Sequence, residues 1–64
     1  MNLLWGDAMY SVVLCDDDEI ILEGLSEFIQ QEIPDVCLAA SASNGVSCKA
    51  SLHEIKPDIL ITDI

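Results

Sequence analysis

Three aspartates follow short apolar runs at two distant places in this chain. Asp16 and Asp17 come directly after the run at residues 11–15, and Asp63 ends the run that begins at residue 59. Both runs are continuously apolar, which is typical of parallel strands covered on both faces. If the two runs are neighbouring parallel strands, the three carboxylates lie together at one edge of a sheet.

Carboxylates at such an edge predict two kinds of chemistry. Gathered carboxylates repel one another unless a cation lies between them. Mg²⁺ prefers oxygen ligands and usually keeps water molecules that a phosphate can replace. A carboxylate can also attack a phosphoryl group and form an acyl phosphate, while a metal neutralises charge on the transferring oxygens. The three acids therefore predict a divalent-cation site with a carboxylate nucleophile.

Two helices and one further strand are predicted between these acids. The first helix begins near Glu19 and is stopped by Pro34, which disfavours helical geometry at the residue before it. Apolar residues at spacings of three and four form one stripe along it, namely Ile21, Leu22, Leu25, Phe28, Ile29 and Ile33. A second strand is predicted at residues 36–40. The chain thus alternates strand and helix from its first apolar run.

The second helix is predicted at residues 46–55, after a turn at 43–45 that supplies its N-cap. One face of this helix carries Cys48, Leu52 and Ile55, whereas His53 lies on the solvated side. Pro57 breaks the helix, and Asp58 is expected to shape the turn into the third strand. The resulting order is β-α-β-α-β.

Parallel strands joined by right-handed crossovers allow a specific arrangement of these elements. If the second and third strands flank the first, the two helices cover opposite faces, as their apolar stripes require. The strand order is then 2-1-3, and the first and third strands lie about 4.8 Å apart. Ligands of open α/β sheets bind at the carboxyl ends of strands at such a switch point. Asp16, Asp17 and Asp63 are predicted to meet there.

Composition excludes several classes of function. Twelve acidic residues against two basic ones leave a net charge of −10, which excludes nucleic-acid contact by this segment and disfavours anionic membranes. No apolar stretch reaches the roughly 20 residues that a membrane-spanning helix needs. The three cysteines form no C-x-x-C pair, which predicts reduced thiols in a cytoplasmic protein.

A simpler interpretation of the first acidic cluster needs no metal. Acidic residues at a helix start can cap it and compensate its dipole. We expect Asp18 to act as such a cap, and Asp16 and Asp17 to serve the site because Asp63 ends the neighbouring strand. Gly24 costs a helix interior about 1 kcal/mol relative to Ala. Close packing is one explanation, which the sequence alone does not decide.

Three segments together resemble receiver domains of bacterial response regulators. The run at residues 12–25 is similar to the family's first strand, acidic pair and first helix. The turn at 43–45 is similar to the one before its second helix, and 56–64 is similar to its third strand, which ends in the phosphorylated aspartate. The segments match in order and spacing, and residues 23–25 are similar to receivers joined to AraC-type DNA-binding domains.

The resemblance implies a partial flavodoxin-like fold, a doubly wound parallel sheet that stops after the third strand. It implies Mg²⁺ bound by Asp16, Asp17 and Asp63, and phosphorylation of Asp63 by a histidine kinase. The chain would be a cytoplasmic signalling module rather than an enzyme. Residues 1–8 are expected to be an extension, with Met9 as an alternative start, and residues 9–64 the first half of a receiver.

The family's later strands, which carry a switch Ser or Thr and a phosphate-binding Lys, have no counterpart in this sequence. Neither Lys49 nor Lys56 lies at a matching position. The resemblance therefore does not imply activity for this segment alone.

Two other function classes remain open. A non-phosphorylated interaction fragment would bind itself or another receiver through the edge of the third strand. A fragment of an aspartyl-nucleophile phosphohydrolase would need an Asp-x-Asp motif, which only Asp16 and Asp18 provide. The phosphohydrolase has less support from the rest of the sequence.

Overall fold

The computed structural model describes residues 9–63, so the predicted extension at residues 1–8 lies outside the described part. Three strands and two helices alternate within it: β1 (Tyr10–Asp16), α1 (Glu19–Glu32), β2 (Val36–Ala42), α2 (Gly45–Ile55) and β3 (Ile59–Asp63). All five elements were predicted in this order. The main difference is β2, which runs two residues past its predicted end.

The sheet is parallel and has the predicted strand order, β2-β1-β3. β1 therefore lies at the centre, and its register with β2 shifts between Val12 and Val13. This arrangement confirms a doubly wound α/β plan of the flavodoxin-like kind over the described strands. It also makes the carboxyl ends of β1 and β3 neighbours.

Alternate side chains of β1 face two separate apolar clusters. On one face, Val12 and Leu14 pack with Leu22 and Ile29 of α1. On the other face, Val13 and Cys15 pack with Ala42 and with Cys48 of α2. The two helices therefore cover opposite faces of the sheet, as predicted from the continuous apolar character of β1.

Polar side chains define where the helices begin. Asp18 is the N-cap of α1, and Asn44 is the N-cap of α2 with its Oδ1 accepting from the Ser47 N–H at 2.8 Å. Helix α2 ends at Lys56, which has a left-handed backbone conformation at φ 53°. A non-glycine residue rarely adopts that conformation except at helix ends and turns. The caps confirm the expected roles of Asp18 and the 43–45 turn.

Part of the predicted apolar stripe of α1 is not buried. Leu22 and Ile29 are buried, but Ile21, Leu25 and Phe28 are exposed. The sequence predicted the stripe but not how much of it is covered, and a stripe of that width needs more covering surface than this three-stranded sheet offers. All five residues of β3 are exposed as well, since no helix of the described chain lies over this strand.

The predicted reduced state of the cysteines is wrong for two of them. Cys15 of β1 and Cys48 of α2 form a disulfide, whereas Cys37 is a free, exposed cysteine. The spacing of 33 residues carried no sign of this pairing. It arises because β1 and α2 bring both side chains into one cluster.

Within residues 9–63, no helix combines the length and apolar character required to cross a bilayer.

Candidate functional site at the carboxyl edge of the sheet

The carboxyl end of β1 is buried. Asp16 is the one buried charged residue among the described side chains, with 6% of its surface exposed. Its Oδ1 accepts a hydrogen bond of 2.9 Å from the Asp18 N–H. This bond turns the backbone out of the strand and toward the start of α1. A carboxylate is thereby held at the strand tip by its own loop.

Asp63 lies beside Asp16 across the sheet. The two are register partners of the parallel β1–β3 pair, at the end of a ladder that starts with Val12 and Ile59. Neighbouring strands are about 4.8 Å apart. The structure thus brings together two acids separated by almost the whole described chain, as the sequence predicted.

The other two acids of the cluster have different positions. Asp17 is exposed in the bend between β1 and α1. Asp18 is exposed too, and its Oδ1 accepts from the N–H groups of Ile20 and Ile21, at 3.0 and 3.3 Å. Asp18 is therefore engaged in capping. Asp17 is available to solvent at the same edge.

Hydrogen bonds that the sequence did not predict join the amino ends of β1 and β3. The Asp58 Oδ2 accepts from the Ser11 N–H at 2.8 Å and from the Ser11 hydroxyl at 3.1 Å. The Asp58 N–H in turn donates to the Ser11 hydroxyl and carbonyl oxygens, each at 3.0 Å. Asp58 was expected only to shape a turn. The signal that could have revealed this contact is a polar residue at the start of each apolar strand.

The donor set suits a hard cation in its chemistry. Asp16, Asp17 and Asp63 offer only carboxylate oxygens, the ligand type that Mg²⁺ prefers. One oxygen of Asp16 is already engaged by the Asp18 N–H, which orients the group. Among residues 9–63, however, no group of three or more acidic, histidine or cysteine side chains is gathered closely enough to hold a metal. The three-ligand metal site therefore stays a prediction.

The fold and this edge define a class of protein segment. A parallel 2-1-3 sheet covered by one helix on each face is part of a doubly wound α/β domain. Its acids lie at the topological switch point, where such domains bind ligands.

Comparison with known proteins shows which family this chain resembles. The chain is 34% identical over 56 residues to an uncharacterised response regulatory protein of Staphylococcus epidermidis. Over 56 residues it is 36% identical to the transcriptional regulatory protein HptR of Staphylococcus aureus and to the uncharacterised transcriptional regulatory protein YesN of Bacillus subtilis. These matches confirm that the chain resembles one segment of response regulators, as a receiver-domain fragment would.

These matches cover 88% of this chain but only a minor part of each relative. The chain spans 22% of the S. epidermidis protein and of HptR, and 15% of YesN. No family model matches the chain, and no solved structure matches it significantly.

Proposed function

We propose that this chain is the phosphoacceptor segment of a response-regulator receiver acting in two-component signalling in the cytoplasm. The register pairing of Asp63 with the buried Asp16 carries the proposal, because it brings two acidic residues together at a switch point, where the exposed Asp63 would act as the nucleophile. The response-regulator relatives support a histidine kinase as the phosphodonor.

Each acid has its own role in this proposal. Asp63 is exposed, so a carboxylate oxygen can bond to the phosphorus of a phosphohistidine while the bond from phosphorus to the imidazole nitrogen breaks. Asp16 and Asp17, together with Asp63, would hold Mg²⁺. When bound, that ion supplies charge neutralisation for the phosphoryl oxygens. The hydrogen bond from the Asp18 N–H orients Asp16 toward this edge.

The direct test is to incubate the purified chain with Mg²⁺ and acetyl phosphate. We expect an acid-stable, hydroxylamine-labile phosphoryl adduct on Asp63, located by peptide mass spectrometry. The variant Asp63→Asn should form none. The matched control is Asp35→Asn, because Asp35 is an exposed acid at the opposite edge, where its carbonyl accepts from the Tyr10 N–H at 3.0 Å. Circular dichroism of each variant verifies that it is folded.

Two outcomes would reject the phosphoacceptor proposal for this chain. One is the absence of an adduct in folded protein, and the other is an adduct that persists in the Asp63→Asn variant. Continuous release of phosphate without a stable adduct would instead indicate the phosphohydrolase class.

The exposure of β3 at the edge of the sheet supports a second candidate function, association with another chain. Ile59, Leu60 and Ile61 are exposed to 38%, 42% and 43%. β3 is also an edge strand of the sheet. Exposed apolar edge strands are templates for pairing with another chain. The chain would then associate with itself or with another receiver, without phosphoryl transfer.

Sedimentation across a range of concentrations distinguishes this candidate. Self-association through β3 predicts a monomer–dimer equilibrium that Ile61→Lys weakens. Ile20→Lys is the control, because Ile20 is an exposed aliphatic residue on α1, away from the strand. Equal effects of both variants would exclude β3 as the contact surface.

A further inference from the structure

The disulfide joins the central strand to one of the two helices. Cys15 is 2% exposed and Cys48 is 8% exposed, and their Cα atoms are 5.9 Å apart. The bond closes a loop across 33 positions of sequence that contains α1, β2 and the start of α2. Cys37, the remaining cysteine, is exposed on β2 and takes no part.

Helix α2 buries fewer side chains against the sheet than α1 does. Cys48 is its only buried residue, and Leu52 and Ile55 pack against the same cluster while partly exposed. Helix α1, in contrast, buries both Leu22 and Ile29 on the opposite face of the sheet. The single buried side chain of α2 is thus the one that is covalently bonded to β1, whereas α1 is held by noncovalent packing alone.

The position of this bond connects α2 to the acidic edge. Cys15 directly precedes Asp16, the buried carboxylate at the tip of β1. Helix α2 starts at Gly45, shortly after β2 ends at Ala42, and Ala42 belongs to the same buried cluster as both cysteines. Formation or breakage of the disulfide therefore takes place one residue from Asp16.

We propose that Cys15 and Cys48 are a reversible thiol–disulfide site that latches α2 onto β1, with low-molecular-weight disulfides such as glutathione disulfide as the oxidant. One cysteine sulfur attacks the glutathione disulfide, forming a mixed disulfide and releasing one glutathione. The second cysteine sulfur then displaces the other glutathione. The two cysteines lose two protons and two electrons, which the two released glutathione thiols carry. This inference does not depend on phosphorylation of Asp63.

Burial of both sulfurs makes the exchange depend on movement of α2. In the closed fold, the pair is shielded by Val13 and Ala42. A reductant reaches the bond when α2 opens, and without the bond α2 opens more easily. Local opening of a weakly anchored element is an ordinary property of folded proteins. Oxidation of the cysteine pair and docking of α2 on the sheet therefore favour each other.

The first part of the test determines the pairing. The chain is equilibrated with oxidised glutathione, its free thiols are blocked under denaturing conditions, and its peptides are analysed by mass spectrometry. We expect one linked pair, Cys15–Cys48, and complete reversal by reduced glutathione. The variant Cys37→Ser should behave like the parent chain, whereas Cys48→Ala should form no internal disulfide. Absence of the pair, or a mixture that includes Cys37, would overturn the proposal.

The second part measures the latch by hydrogen exchange of the oxidised and reduced chain. In α2, reduction should accelerate amide exchange roughly tenfold or more, and in α1 distinctly less. Cys48→Ala should reproduce the reduced pattern without any reductant, which separates loss of the bond from side effects of the reductant. Unchanged exchange in α2, or equal acceleration in both helices, would overturn the latch.

Discussion

Asp58 and Ser11 are joined at the amino ends of β3 and β1, at the opposite edge from Asp63 and Asp16. Four hydrogen bonds connect the two residues, two accepted by the Asp58 carboxylate and two donated by the Asp58 N–H. This contact sets the start of the β1–β3 register. Four residues further along each strand from the first paired residues, the same register brings Asp63 beside Asp16.

Loss of the contact between Ser11 and Asp58 should lower the stability of the fold. We expect Asp58→Ala to reduce the free energy of unfolding by about 1 to 2 kcal/mol, because it removes the acceptor of two hydrogen bonds at an exposed position. Ser11→Ala should reduce the free energy of unfolding by less than Asp58→Ala does. The double variant should cost less than the sum, since both residues belong to one network. Urea denaturation measures all three, with Asp35→Ala as control. Strict additivity would contradict the coupling.

Asp18 should behave as a cap and not as a cation ligand. Asp18→Ala is expected to cost about 1 kcal/mol of stability, and Asp18→Asn much less, because Asn also accepts from the free N–H groups of a helix start. Neither change should weaken Mg²⁺ binding as strongly as Asp17→Asn. Urea denaturation and a Mg²⁺ titration followed by NMR measure the two effects. A loss of Mg²⁺ affinity in Asp18→Asn as large as that in Asp17→Asn would assign Asp18 to the site.

Gly24 has no packing reason to be glycine. A Cβ added there meets no atom within 4 Å, so the close packing suggested by its position in a helix is absent. Gly24→Ala should therefore stabilise the chain by about 0.5 to 1 kcal/mol, the difference in helix propensity. Ala50→Gly at an exposed position in α2 is the reverse control and should destabilise by a similar amount. Thermal unfolding compares the two. Destabilisation by Gly24→Ala would contradict the open surroundings.

Asp16 offers a way to separate charge from structure. Asp16→Asn keeps a carbonyl oxygen that can accept from the Asp18 N–H, but it removes the negative charge. We expect stability to be nearly retained while Mg²⁺ affinity falls by at least about tenfold, as for changes around metal sites generally. Asp16→Ala should lower both the stability and the Mg²⁺ affinity. Calorimetric titration with Mg²⁺ and urea denaturation provide the measurements. Unaltered affinity in Asp16→Asn would remove Asp16 from the proposed metal site.

The sequence alone determined the elements and the place of the acids. Continuous apolar runs, the helical spacing that includes Leu22 and Ile29, and the cap residues are local signals, because strand and helix periods and capping act over a few residues. The alternation of strands and helices also restricted the topology, since crossovers are right-handed. Handedness alone left the strand order open. The 2-1-3 order was inferred from the two apolar helix stripes, which require the helices to cover opposite faces, and the Asp16–Asp63 pairing followed from that order.

Only the tertiary structure decided which distant side chains meet. The Ser11–Asp58 contact spans 47 positions and the Cys15–Cys48 bond spans 33, and neither residue spacing carries a local signal. The exposure of Phe28 within a regular apolar stripe is likewise set by how much surface the neighbouring elements supply. Periodicity reports which side of a helix is apolar. Contact and burial depend on what lies opposite that side.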